Sequence, residues 1–233
     1  MKNPKPQGKR TFLLASLLLF SIFINQQAKA GSKTEDSTNY TKNYLKFSPL
    51  SFIPYNMMPS FAVDFEHRHS NIFSSQVTAG LYISNNADLN TFPGFKTAYE
   101  GRLYLTKKES LRAYISLNWT FISQTGMEDL TFINVSESNS LPNSRYKERV
   151  KVHRDIILNS FRFGLQFPIG KRLAIDAFMA AGVMIGHNIH YGRSNPEDPI
   201  IESDILPIPN TLKSGDFSSI TFPYNIKLCY KLN

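Results

Sequence analysis

His187, His190 and Ser194 lie close together in the chain, with Glu197 and Glu202 downstream. A hydroxyl, an imidazole and a carboxylate are the nucleophile, base and orienting acid of acyl transfer, once a fold brings them within hydrogen-bond reach. Their spacing here matches no established motif, and histidines in loops are common. The expectation is therefore no catalytic site, with Ser194, His187 and His190 as the enzyme alternative. His67 and His69 flank Arg68 and, in a strand, share a face. That pair suits a metal, yet no third ligand is evident nearby. No metal and no cofactor are expected. Cys229 is the single cysteine, so neither an intrachain disulfide nor a cysteine-based metal cluster can form. It reads as a small filler of a packed interior.

A second set of polar groups falls at alternate positions of apolar segments: Asp64, Glu66, Lys96, Glu100, Arg102, Arg112, Arg162 and Asp176. Both signs of charge occur in mid-segment. Buried charges need partners, and residues of opposite sign on one face of neighbouring strands can supply them. Glu100 and Arg102 share a face, and Arg112 can neighbour them across a hairpin. The expected role is a mutual charge network in an enclosed lumen, ahead of a proton path or catalysis.

The elements that must position these groups are strands. From Ile220 every second residue is apolar: Ile220, Phe222, Tyr224, Ile226, Leu228, Tyr230 and Leu232. The intervening residues, such as Asn225, Lys227 and Lys231, are largely polar. Successive side chains of a strand point to opposite faces, so this segment has one apolar and one polar face. The same alternation recurs in Leu111, Ala113, Ile115, Leu117, Trp119 and Phe121, and in Phe161, Phe163, Leu165 and Phe167. It is present around Phe61 to Phe65, Val77 to Ile83 and Phe95 to Leu105, weaker from Tyr44 to Phe52, and blurred from Leu173 to Ile185. Eight strands result, with almost no helical periodicity.

The links alternate in length. Tight ones are expected at 68–72, 106–109 and 168–171, and longer ones at 85–93, 124–154 and 187–216. Short turns on one side and long loops on the other are the pattern of an antiparallel up-and-down barrel in a membrane, and eight strands put both chain ends on the short-turn side. A strand of about ten residues, tilted, spans roughly the 25 Å apolar band of such barrels. A lumen of this width is filled by its own side chains, which excludes a wide aqueous channel.

Residues 1–30 read as a signal peptide cleaved after Ala30. Lys2, Lys5, Lys9 and Arg10 precede an apolar run from Phe12 to Ile24, and Ala28-Lys29-Ala30 is a small-x-small cleavage site. The run is short for a membrane helix of about 20 residues. This segment carries five of the 26 basic residues and none of the 18 acids, so its removal lowers the formal charge from +8 to +3. The high isoelectric point is therefore partly an export signal, and no nucleic-acid partner is expected. Residues 31–42 read as a polar, flexible periplasmic leader, and 43–233 as one barrel domain.

Alternation alone also fits a soluble lipocalin-like barrel, whose apolar face points inward. Mid-strand charges, aromatics near strand ends (Phe95, Phe121, Phe167, Tyr224, Tyr230) and long loops on one side favour the membrane. The lipid-facing set is then Leu117, Trp119, Phe121, Phe163, Leu165, Ile226, Leu228 and Tyr230.

The segments Asn43 to Phe52 with Ser60 to Glu66, Tyr99 to Leu105 with Tyr114 to Leu117, and Phe163 to Asp176 resemble small outer-membrane β-barrel proteins of unknown function typical of Bacteroidota, eight-stranded barrels of the OmpA and OmpX kind. The resemblance covers most of residues 43–233, and its motifs are structural. It implies fold and location, the Gram-negative cell outer membrane, and no reaction. The chain departs from the pattern at its end, Tyr230-Lys-Leu-Asn233, where such barrels often finish on an aromatic. The expected partners are the bilayer itself and a surface partner through the long loops, with the protein a monomer. The alternatives are a lipid A acyl hydrolase, a chemistry some eight-stranded barrels perform, and a soluble periplasmic barrel binding an apolar ligand.

Overall fold

The structure is a computed structural model that describes residues 42–48, 60–82, 92–106, 111–133, 145–195, 198–203 and 214–232. The expected signal peptide, nearly all of the leader and most of the link at 85–93 lie outside the described residues. So do 107–109 of the turn expected at 106–109.

Among the described residues there are ten strands: β1 Lys42–Phe47, β2 Ser60–Arg68, β3 Phe73–Tyr82, β4 Gly94–Tyr104, β5 Arg112–Ile133, β6 Arg145–Pro168, β7 Leu173–Tyr191, β8 Ile200–Ser203, β9 Gly215–Thr221 and β10 Tyr224–Lys231. Each of β1 to β6 pairs antiparallel with the next. Both β9 and β10 pair with β7, and β10 pairs with β1, which closes the ring. β9 and β10 are one barrel strand interrupted at Phe222-Pro223. Proline has no N–H for a ladder, but the Pro223 carbonyl still accepts from Ala180 N at 2.8 Å. The fold is thus an eight-stranded, closed antiparallel barrel, with β8 outside the ring on the edge of β5.

Tight turns fall where expected after β2 and β6. Ile169 N bonds Leu173 O at 2.8 Å across the second, and Gly170 holds φ of 150°, a conformation that suits glycine. Thr106 Oγ1 donates to Leu111 O and accepts from Ala113 N, stapling the β4–β5 hairpin.

The two long loops expected at 124–154 and 187–216 are a different matter. β5 runs to Ile133 and β6 starts at Arg145, so most of 124–154 is paired strand, in register from Gln124↔Arg154 to Ile133↔Arg145. β7 runs to Tyr191, and β8 and the start of β9 also fall inside 187–216. The physical reason is a change in which face is apolar. Toward the turns, the outward residues of β6 are Phe161, Phe163, Leu165 and Phe167, and the inward ones are Ser160, Arg162, Gly164 and Gln166. Toward the loops, the outward residues are Arg145, Lys147, Arg149, Lys151, His153 and Asp155, while Val150 and Val152 point inward and are fully buried. The strand alternates throughout, but its polarity inverts. β5 does the same: Leu117 and Phe121 face outward, whereas Leu130 and Phe132 are buried inside.

The molecule therefore has two storeys. A row of cross-strand partners, Gly94, Gln124, Arg154, Asn188 and Gly215, marks the top of the complete ring. Above it, β5, β6 and the end of β7 continue as an extension. Its core is Phe92, Leu130, Phe132, Val150 and Val152, all fully buried, with Tyr146 and Ile200 packed against it. β8 pairs with β5 on the edge that β4 occupies below. Arg154 lies 4.4 Å over the Phe92 ring and pairs with Glu128 at 2.6 Å, which satisfies the fully buried Glu128 carboxylate.

Candidate functional site

The interior of the ring is polar and filled. Asp64, Glu66, Glu100 and Asp176 are its carboxylates, and Lys46, Arg68, Arg102, Arg162 and Lys227 its deepest cations, all buried. Each sits on the inward parity of its strand, which is why alternation brings them together. Around Asp176, the Lys46 ammonium lies at 2.5 Å, Arg102 Nη1 at 2.6 Å and the Tyr114 hydroxyl, which donates to it, at 2.6 Å. Arg102 bridges onward, with Nε on Glu100 at 2.7 Å and its guanidinium 4.3 Å over the Tyr114 ring. Glu100 also takes Arg162 at 2.7 Å and the Ser116 hydroxyl at 2.8 Å. Lys46 reaches Glu66 at 2.5 Å, and Lys227 reaches Asp64 at 2.8 Å.

Desolvating this many charges costs several kcal/mol each unless partners replace water. The pairs above supply that replacement across β1, β2, β4, β5, β6, β7 and β10. The network therefore ties together strands that are not hydrogen-bonded neighbours. Glycine makes room for it. Gly164 is the cross-strand partner of Tyr114, and a Cβ there would stand 2.2 Å from the tyrosine ring.

The structure brings Asp64, Glu66, Glu100, Arg102, Arg162 and Asp176 into this one network. Two further residues of the expected set sit at its ends. Lys96 is at the loop end, 3.1 Å from the Ser60 hydroxyl and 5.8 Å over the Tyr82 ring. Arg112 is at the turn end, half-buried and 5.9 Å over Tyr104, so it does not neighbour Glu100 as the hairpin argument expects. Cross-strand register is the reason: Arg112 pairs with Gln166, while Glu100 faces Asn118. Sequence reasoning omitted Lys46, Arg68, Lys227, Tyr104 and Tyr114 from the network. The signal was available, since each has the parity of a neighbouring network residue.

The outward face of the ring is apolar. Leu117, Phe121, Phe163, Ile226, Leu228 and Tyr230 are exposed there, with Trp119 and Leu165 half-exposed on the same face. Further exposed apolar side chains, among them Phe61, Phe65, Val77, Leu81, Phe95, Phe161, Met179 and Val183, continue the belt around the other strands.

The acyl-transfer candidates are not brought together. His187 and His190 lie on β7, three apart, and so on opposite faces. His187 Nδ1 meets Asp216 at 2.6 Å on the outside. His190 points inward, and its ring nitrogens have no hydrogen-bond partner. Burial, and after it the charges of Arg193 and Arg154, hold its pKa down at about 4. Ser194 gives its hydroxyl and its N–H to Glu148, at 2.7 and 2.9 Å. The expected orienting acid Glu197 and the Glu202 side chain lie outside the described residues. His67 and His69 stack edge to face at 4.6 Å, and one ring nitrogen of each is engaged, His67 Nδ1 with Asn43 and His69 Nε2 with Ser75. Among the described residues no cluster of three metal-ligating side chains occurs. Cys229 is fully buried against Tyr44 and Ala174.

Comparison with protein-family models, with curated proteins and with solved structures finds no match for this chain.

Proposed function

We propose that this protein is an exported, non-enzymatic barrel of the Gram-negative outer membrane that holds the β5–β6–β7 extension above the bilayer as a platform for a surface partner. The observation that carries the reading is the polarity inversion within single strands. A residue that faces lipid gains by being apolar, and one that faces water gains by being polar. The outward face of β6 turns from Phe161–Phe167 to Arg145–Lys151 within one strand, and the inward face turns the opposite way at the same height. One solvent cannot select both halves. A bilayer around the ring and water around the extension select each in turn.

The same observation weighs against a soluble ligand-binding barrel, which carries its apolar residues inside. The packed, paired lumen also disfavours ion conduction as the protein's purpose. In this reading the short turns face the periplasm and the extension faces the outside. The outward cations of β6 then stand just above the apolar belt, at the level of anionic headgroups and acidic surface polymers.

Fractionation and site-specific labelling test the proposal. The full-length chain should appear in the outer-membrane fraction, with electrophoretic mobility that changes on heating. On intact cells a membrane-impermeant maleimide should label Lys147→Cys and spare Lys171→Cys, with little background from the buried Cys229. Recovery in the soluble periplasm, or the reverse labelling pattern, would refute it.

A further inference from the structure

We propose that the turn end of the barrel holds a binding site for a phosphate-bearing anion. A cavity of about 330 Å³ opens there, between the start of β1, the turn from β6 to β7 and the end of β10. Among the described residues, its wall contains no Asp or Glu. It contains Arg68, Arg112, Lys171, Arg172 and Lys231.

Charge alone does not make a site; two buried donors do. Arg68 is 3% exposed, and its guanidinium is clamped between the rings of Tyr44 and Tyr104 at 4.4 and 4.7 Å. Its Nε leans on Glu66 at 3.3 Å, and its Nη2 donates to Gln166 Oε1 and the Tyr104 hydroxyl. Its Nη1 has no partner. Beside it Gln166, 3% exposed, spends its carbonyl on Arg68 and leaves its own Nε2 without an acceptor. Both residues line the cavity.

Buried donors are seldom left unsatisfied, because each costs about 1–3 kcal/mol. Two on adjoining side chains, one on the Arg68 guanidinium and one on the Gln166 amide, call for one acceptor that serves both. The imbalance has a visible source. The four lumen carboxylates are committed deeper in the barrel, and Arg68 keeps only the long contact to Glu66. An oxyanion with several acceptor oxygens completes the set, with the rim cations Lys171 and Lys231 offsetting a second negative charge. Planar guanidinium and tetrahedral phosphate suit one another for paired hydrogen bonds. The cavity has room for phosphate carrying a small organic group. The chemistry is the same whether the phosphate is free or belongs to a lipid headgroup, and it does not depend on which compartment the turn end faces.

The test uses the full chain folded in a neutral sugar detergent and phosphate-free buffer. Inorganic phosphate and a short-chain phosphatidylglycerol are titrated separately, followed by calorimetry and phosphorus NMR line width. Saturable one-site binding of inorganic phosphate identifies a free anion as the ligand, and binding of phosphatidylglycerol alone identifies the lipid headgroup. Gln166→Glu is the decisive variant. It keeps the acceptor for Arg68 and places a carboxylate oxygen where Nε2 was, so it supplies the missing partner from within the chain. Binding should fall at least about tenfold, while the unfolding midpoint holds or rises. Lys171→Gln, on the exposed turn, should weaken binding several-fold without touching the fold, and it decides the matter if Gln166→Glu does not fold. No binding of either probe, or binding unchanged by Gln166→Glu or by Lys171→Gln in folded protein, would overturn the proposal.

Discussion

Leu117 and Met127 stand on the same strand, on the same outward face, and each is 40% exposed. Below Leu117 the interior is a network of buried charges. Beside Met127 it is a small apolar core of Phe132, Leu130, Val150 and Val152. The ring and the extension share three continuous strands, β5, β6 and β7, and the ladders between them, yet obey opposite rules of inside and outside. Backbone pairing is therefore indifferent to polarity; the surroundings of each face set it. In the ring the enclosed groups must satisfy one another electrostatically. In the extension they are held as in any water-soluble sheet, by burying apolar area.

Five substitutions press on that difference, taken from the largest expected effect down with one mild control. Arg102→Met removes the cation shared by Asp176 and Glu100 and should cost about 3–5 kcal/mol, because buried carboxylates lose their partner. Reversible urea unfolding in lipid vesicles measures it. Phe132→Ala empties part of the upper core and costs a similar amount, about 3–5 kcal/mol, but locally. Hydrogen exchange should quicken in β5 beyond Gln124 while the ring stays protected. Loss of ring protection as well would mean the two storeys are one cooperative unit.

Leu117→Arg should cost about 2–4 kcal/mol if its face meets hydrocarbon, whereas Met127→Arg should stay within about 0.5 kcal/mol. Equal costs for the two would erase the distinction drawn between ring and extension. Gly164→Ala drives a methyl into the Tyr114 ring and should cost about 1–3 kcal/mol through overpacking. A neutral result in the same unfolding assay would mean the lumen is looser than its contacts indicate.

Much of the ring was legible in the sequence because its alternation has one phase. Phe61 to Phe65, Leu111 to Phe121 and Ile220 to Leu232 each mark a face directly, and the paired charges fall on the other. The extension was not, and the residues show why. Along β6 the apolar positions shift from odd to even at Ile156-Ile157-Leu158, where three apolar residues run together. Above that point Val150 and Val152 alternate with Arg149 and Lys151, which reads as a polar loop when an outward apolar stripe is sought. On β5 the same crossing occurs at Phe121-Ile122. Network membership was partly legible: parity puts Asp64, Glu66 and Lys46 on one face, but register decides that Arg112 meets Gln166 and not Glu100. Register depends on turn geometry and strand stagger, which alternation does not encode. The unpaired donors of Arg68 and Gln166 follow from three-dimensional accounting alone.

In the proposed function the outward face of the ring contacts lipid. Trp119 is the only tryptophan, and it lies on that face of β5, its ring 6.3 Å from that of Tyr99. With the protein folded into vesicles, its fluorescence should shift to the blue, be quenched by lipids brominated along their chains, and resist iodide added to the water. A Met127→Trp, Trp119→Phe variant should show the opposite, with iodide quenching and no effect of brominated lipid. If Trp119 is quenched by iodide and ignored by brominated chains in the folded protein, the outward face of the ring meets water, and the membrane reading fails.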